Sequence, residues 1–215
     1  MQERDLSDGN DLHNSSAGMD MGALDTNMIE LPPCKLGKLD NLENFLHQFI
    51  PEKAHHDNLA LALENQGYIP KLIELFRQCE DLEDFDDLHN LFNIFKMLFM
   101  LEKNSLFETM FSPENILDIV GVLEYDPSKS TKTPHRVYIK QCVKFKEVIP
   151  IANEELLAKI HQTFHVQYIK DILVPVPLIF DDTGSTLHSF IIFNKIQILE
   201  IIQVIDFLIK TTLNV

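Results

Sequence analysis

Two histidines one turn apart, His161 and His165 in "HQTFH", come closest in this 215-residue chain to the spacing of metal chemistry. A zinc protease sets two imidazoles at i and i+4 on a helix and needs a Glu beside the first as general base. Here Gln162 stands in that place and no third ligand is evident, so the pair reads as ordinary helix histidines. His55 and His56 are adjacent rather than four apart and mark a helix start. The acidic run "EDLEDFDD", Glu80 to Asp87, lacks the alternating ligands, the glycine and the closing Glu of a calcium loop. Acids at a helix N-terminus, favoured there by the macrodipole, are the better reading.

Nucleophilic chemistry is equally poorly served. Cys34, Cys79 and Cys142 are odd in number and far apart, and they form no C-x-x-C pair, which points away from disulfides and thiolate zinc and toward a reducing compartment. No G-x-S-x-G turn is present, and the seven glycines make neither G-x-G-x-x-G nor G-x-x-x-x-G-K. A nucleophile also needs a positioned base and an oxyanion hole, for which there is no signature. The residues therefore predict no catalytic site, no metal and no cofactor.

One segment does stand out. "PHRVYIKQCVKFKEVIP", Pro134 to Pro150, is basic in a chain of net charge −15, and residues 127–150 carry six Lys and Arg against Glu147 alone, net +5. On a helix starting near His135, Arg136, Lys140 and Lys144 recur every four residues and share a stripe, with Lys146 just beyond. Val137, Ile139, Val143 and Phe145 are then expected to turn toward neighbours. Two readings follow. The stripe is either a solvated helix face balancing the acidic half, or a docking surface for an acidic or phosphorylated partner segment. Tyr168 and Lys170, on a nearby helix, are candidate additions to such a surface. Ser128, Ser130, Thr131 and Thr133 precede it in a loop, and phosphate on Thr133, which Pro134 follows, would cancel part of its charge.

The elements that must carry these residues read as helices. Leu39, Leu42, Leu46 and Phe49 begin the pattern, "HDNLALALENQGY" continues it to a stop at Gly67, and "IPKLIELFRQCEDL" restarts with Pro70 in its first turn. "DFDDLHNLFNIFKMLFMLEK" is apolar on more than one side, as for a helix packed between neighbours. "SPENILDIVGVLEYDP" is expected to start at an N-cap Ser112 and to run to Asp126 before Pro127. Further helices are expected near 135–146, 153–170 and 185–210, with "VPVPLIFDDTGS" as an extended crossing or, alternatively, a strand. Period-2 alternation over several segments is lacking, so a sheet of any size is not expected. The fold class predicted is all-α, an armadillo- or HEAT-like helical solenoid of short–long–long groups, with an irregular helical bundle as the alternative.

Composition bounds the rest. Residues 1–90 hold 6 Lys and Arg against 19 Asp and Glu, net −13, and residues 91–215 hold 12 against 14, net −2. So acidic a field disfavours non-specific nucleic-acid binding. Residues 1–28 have few large apolar groups and read as a flexible acidic linker, with the folded domain at 29–215. The amino terminus lacks a basic start and apolar block, so no signal peptide is expected. Phe190 to Ile209 is strongly apolar but contains Asn194, Lys195, Gln197, Glu200, Gln203 and Asp206, so it reads as a helix with a buried face in a soluble protein rather than as a membrane span.

Several long strings occur together: "IELPPC" at 29–34, "LALALENQGYIPKLIELFRQCEDLED" at 59–84, "LFETMFSPENILDIVGVLEYDPS" at 106–128, "KFKEVIPI" at 144–151, "KIHQTFHVQYIKDILVP" at 159–175 and "STLHSFIIFNKIQI" at 185–198. Collinear from about residue 29 to 202, they resemble the SMK domain of the SMEK/Falafel family, regulatory subunit 3 of protein phosphatase 4. That resemblance implies a non-catalytic regulatory domain that binds partner or substrate proteins and directs dephosphorylation. Its implied partners are the phosphatase 4 catalytic and scaffold subunits and segments of substrates or adaptors, in the nucleus and cytoplasm, with neither membrane insertion nor direct nucleic-acid binding. The alternative function is a helical spacer between a peptide-recognition domain and downstream repeats. The partner-binding residues expected are Arg136, Lys140, Lys144, Lys146, Tyr168 and Lys170.

Overall fold

In the computed structural model the described residues are 29–141, 150–173 and 181–213, with side chains described except at 172, 173, 181–185, 212 and 213. Among them the chain is helical throughout, with no strand: α1 (Leu39–Phe49), α2 (His56–Asn65), α3 (Tyr68–Leu82), α4 (Phe85–Met100), α5 (Asn104–Met110), α6 (Ile116–Val122), α7 (His135–Gln141), α8 (Glu154–Tyr168) and α9 (Asp181–Leu213). The expected acidic linker, residues 1–28, lies outside the described residues. The architecture is the all-α, armadillo/HEAT-like solenoid that the helix grouping predicts. Its first short–long–long group is α2, α3 and α4, and the next three helices, α5, α6 and α7, shorten to 7 residues each.

Local chemistry explains the boundaries. Gly67, at φ +60°, takes the left-handed conformation that closes α2 without a Cβ penalty, and Pro70 lies in the first turn of α3, where its missing N–H is no loss. Glu83, also left-handed at φ 55°, reverses the chain after α3. Asp84 then caps α4, its carboxylate accepting the Asp87 N–H at 3.2 Å. The Asp87 carboxylate, itself buried, accepts the Gly37 N–H at 2.7 Å and ties α4 to the turn before α1. Asn153 caps α8 in the same manner, through the Leu156 N–H at 2.8 Å. At the other end of α8 the coil widens to a π-turn, Ile169–Leu173.

Two boundaries differ from expectation. Helix α6 begins at Ile116 rather than at Ser112, because the Ser112 carbonyl first accepts the Asn115 and Ile116 N–H groups in a turn. It also ends at Val122, since the Glu124 N–H bonds the Gly121 carbonyl and the Tyr125 N–H bonds the Val122 carbonyl in a tightened last turn. At α9, residues 181–185 are helical rather than part of an extended crossing; residues 174–180, the rest of that connector, lie outside the described residues.

The core is one contiguous cluster. Leu39, Leu42 and Leu46 form the buried stripe of α1, packed on α4. Helix α4 is sandwiched between α1 and α3 and also meets α6, which is why its apolar residues do not keep to one side. Phe99, Phe107 and Phe111 are fully buried, with Phe107 and Phe111 centroids 5.4 Å apart, and Phe190 of α9 meets Phe111 edge-on at 5.4 Å. This aromatic knot attaches α9 to the preceding repeats.

Candidate partner-binding face around helix α7

Helix α7 carries the basic stripe that the sequence singles out, and the structure divides it. Arg136 turns inward. Its Nη1 donates to Glu80 Oε2 at 2.8 Å, its Nη2 donates to the other Glu80 oxygen and to Glu124 Oε2 at 3.2 Å, and its backbone N–H donates to Glu124 Oε1 at 2.6 Å. The guanidinium lies 5.4 Å from the Phe76 ring centroid. Burial opposes its charge, but the Glu80 hydrogen bonds and the charge of Glu124 outweigh that, holding the guanidinium more firmly protonated than in free arginine. Glu80 in turn is held below the usual carboxylate range: burial pushes it up, and hydrogen bonds from Arg136 and Tyr125 more than compensate.

Lys132 completes the cluster from the loop. Its Nζ sits 2.5 Å from Tyr125 Oη, 3.3 Å from Glu124 and 3.5 Å from Glu80. Two cations and two carboxylates therefore neutralise one another across α3, the α6 end, the loop and α7. Gly121 makes room for this: a Cβ there would lie 2.7 Å from Arg136 Cζ. None of Gly121, Glu80 or Glu124 was singled out by sequence reasoning. Glu80 was read among acids at a helix start; it lies instead in the last turn of α3, drawn to Arg136 56 residues on.

What remains outside is the outward edge of α7. Val137 and Tyr138 are 47% and 49% exposed, while Ile139 is buried. The stripe geometry expected Val137 to turn inward; instead Arg136 does so, drawn by the buried Glu124, and α7 is rotated accordingly. Lys140 is exposed with no ion pair among the described residues. Tyr168 is half-buried behind this edge, its Oη 2.7 Å from His135 Nδ1 and its ring 6.1 Å from that of Tyr138. Lys170 pairs with Asp171 on its own turn. Lys144, Lys146 and Cys142 lie outside the described residues. The structure thus sets Tyr168 beside the unanticipated Tyr138, leaves Lys140 exposed on the same short helix as Tyr138, and uses Arg136 as an internal tie.

Of the residues weighed for catalysis, Gln162 has a packing role. The Gln162 amide donates to the Phe111 carbonyl at 2.7 Å and accepts from buried Asn194 at 3.1 Å, so the residue in the general-base place is a core bracket between α8 and α9. His161 and His165 line a cleft of about 330 Å³ with Pro113, Ile116 and Leu157. His165 is pushed below the usual imidazole range by burial and then by His161. Burial raises the Cys34 thiol to about 11 and the Cys79 thiol to about 12, which keeps both protonated at neutral pH. Among the described residues no three His, Cys, Asp or Glu side chains converge on a metal-sized site, and no helix is long and apolar enough to cross a membrane.

A family profile described as "Phosphatase 4 regulatory subunit 3" matches residues 41–213. The chain is 51% identical over 177 residues to the serine/threonine-protein phosphatase 4 regulatory subunit 3 of Drosophila melanogaster, a match covering 81% of this chain and 18% of that protein. It is 42% identical over 178 residues to Protein PPP4R3C1 of Mus musculus, covering 82% of this chain and 22% of that protein. It thus spans about a fifth of the length of these relatives. No solved structure matches it.

Proposed function

Because the chain belongs to the phosphatase 4 regulatory subunit 3 family, we propose that it is a non-catalytic regulatory domain whose α7 edge docks an acidic or phosphorylated segment of a partner. The partners are the phosphatase 4 catalytic and scaffold subunits or the proteins they act on, in the nucleus and cytoplasm, and docking directs dephosphorylation. One observation carries this reading. On an acidic chain, Lys140 is exposed and without an ion pair among the described residues, one turn on from the exposed Val137, with Tyr138 exposed on the same helix. An unneutralised cation next to an apolar anchor suits an acidic peptide, for which charge supplies steering and the ring supplies buried area. Lys144 and Lys146 extend the same basic segment and belong to the proposed face. Tyr168 supports it from behind, and Lys170 flanks it.

Mixing the purified chain with a purified catalytic–scaffold core of phosphatase 4 tests the reading by co-elution. A docking domain is retained, whereas a spacer elutes alone. Turnover of a phosphoprotein by the chain without the core would contradict the non-catalytic assignment.

A further inference from the structure

Beyond Asn194, no residue of α9 through residue 211 is buried. This is nonetheless the most apolar stretch of the helix, and Leu199, Phe207 and Ile209 are 58%, 67% and 51% exposed. Apolar side chains left in water along several turns call for a covering partner. The charge there is balanced: residues 190–211 hold Lys195 and Lys210 against Glu200 and Asp206, net zero, in a chain of net −15. The patch is therefore the part of an acidic surface that repels a like surface least.

The order of residues narrows the partner. Ile192, Lys195, Leu199, Ile202, Asp206 and Ile209 are spaced 3, 4, 3, 4 and 3 apart, the seam of a two-helix coiled coil, and all six are exposed. The seam is also its own antiparallel complement about a point between residues 200 and 201. Run against a second copy, Ile192 meets Ile209, Leu199 meets Ile202, and Lys195 meets Asp206 twice over. A parallel pairing instead sets Lys195 against Lys195 and Asp206 against Asp206, like charges in a closing interface. Lys195 has no ion pair among the described residues, whereas Asp206 is held by Lys210 one turn on. The four apolar seam residues, Ile192, Leu199, Ile202 and Ile209, are all exposed, and Ile196 flanks them.

We propose that two copies of this chain associate through α9, antiparallel, with Lys195 of each copy paired to Asp206 of the other. Sedimentation of the 215-residue chain at about 50 µM tests it, with a mass near twice 24.8 kDa expected. Lys195→Asp and Asp206→Lys each place like charges opposite one another, and each weakens association about tenfold or more at unchanged helical circular dichroism. An equimolar mixture of the two variants restores it, because each copy then offers the other's complement. A parent chain that stays monomeric, a single variant that associates like the parent, or a mixture that does not recover overturns the proposal.

Discussion

At the scale of residues, the molecule spends its most prominent cation on itself. Arg136 bridges Glu80 and Glu124 over the bare backbone of Gly121, and a Cβ there would force the guanidinium to shift. Gly121→Ala drives a Cβ into the guanidinium, so a loss of about 2 kcal/mol in urea unfolding is expected, from overpacking and from ion pairs pulled off geometry. The pH dependence follows from the histidines. His135 and His165 are both shifted below the ordinary 6.5 by burial, against which the Glu124 charge partly opposes the shift at His135. The unfolded chain then takes up protons before the native chain does. Stability is fully present above pH 6.5 and falls as pH drops through the lowered native values. Urea midpoints measured from about pH 7.5 to about 5 decline accordingly, and the decline is shallower in a His165→Gln variant. The basic stripe was legible as charge; the internal use of Arg136 was not. Periodicity places Arg136 on a helix but carries no word of Glu80, a residue brought near only by tertiary packing.

At the scale of elements, helix identity was readable where packing and propensity agree. The α2–α3 joint could be read from Gly67 and Pro70, because a left-handed closure and a proline first turn are local requirements. Helix α6 was read too long at both ends: a turn closed on the Ser112 carbonyl precedes it, and at its exit Glu124 is turned inward to Arg136, a partner that no local residue announces. The aromatic knot shows how one element holds another: Phe111 stands between Phe99, Phe107 and Phe190. Phe111→Ala is expected to cost about 3–5 kcal/mol, most of it as an unfilled cavity. In a domain of this size that lowers Tm by roughly 10 °C. Calorimetry checks it, and a fall of under about 2 °C would show that α9 is not anchored by the rings.

At the scale of the whole molecule, stacked helices offer an extended surface, and the account turns on which part of it binds. The short–long–long grouping was visible in helix lengths, and the collinear strings carried the family. The division of labour within one seven-residue helix was not, because Arg136 and Lys140 have the same chemistry and differ only in what the fold sets beside them. Affinity of the chain for the purified phosphatase 4 catalytic–scaffold core, measured for the parent and for Lys140→Glu alongside their melting temperatures, is the most direct test. The account predicts binding weakened about tenfold, with Tm unchanged, since Lys140 lies in solvent and supports no packing. Equal affinity for the core in a folded Lys140→Glu protein would contradict it.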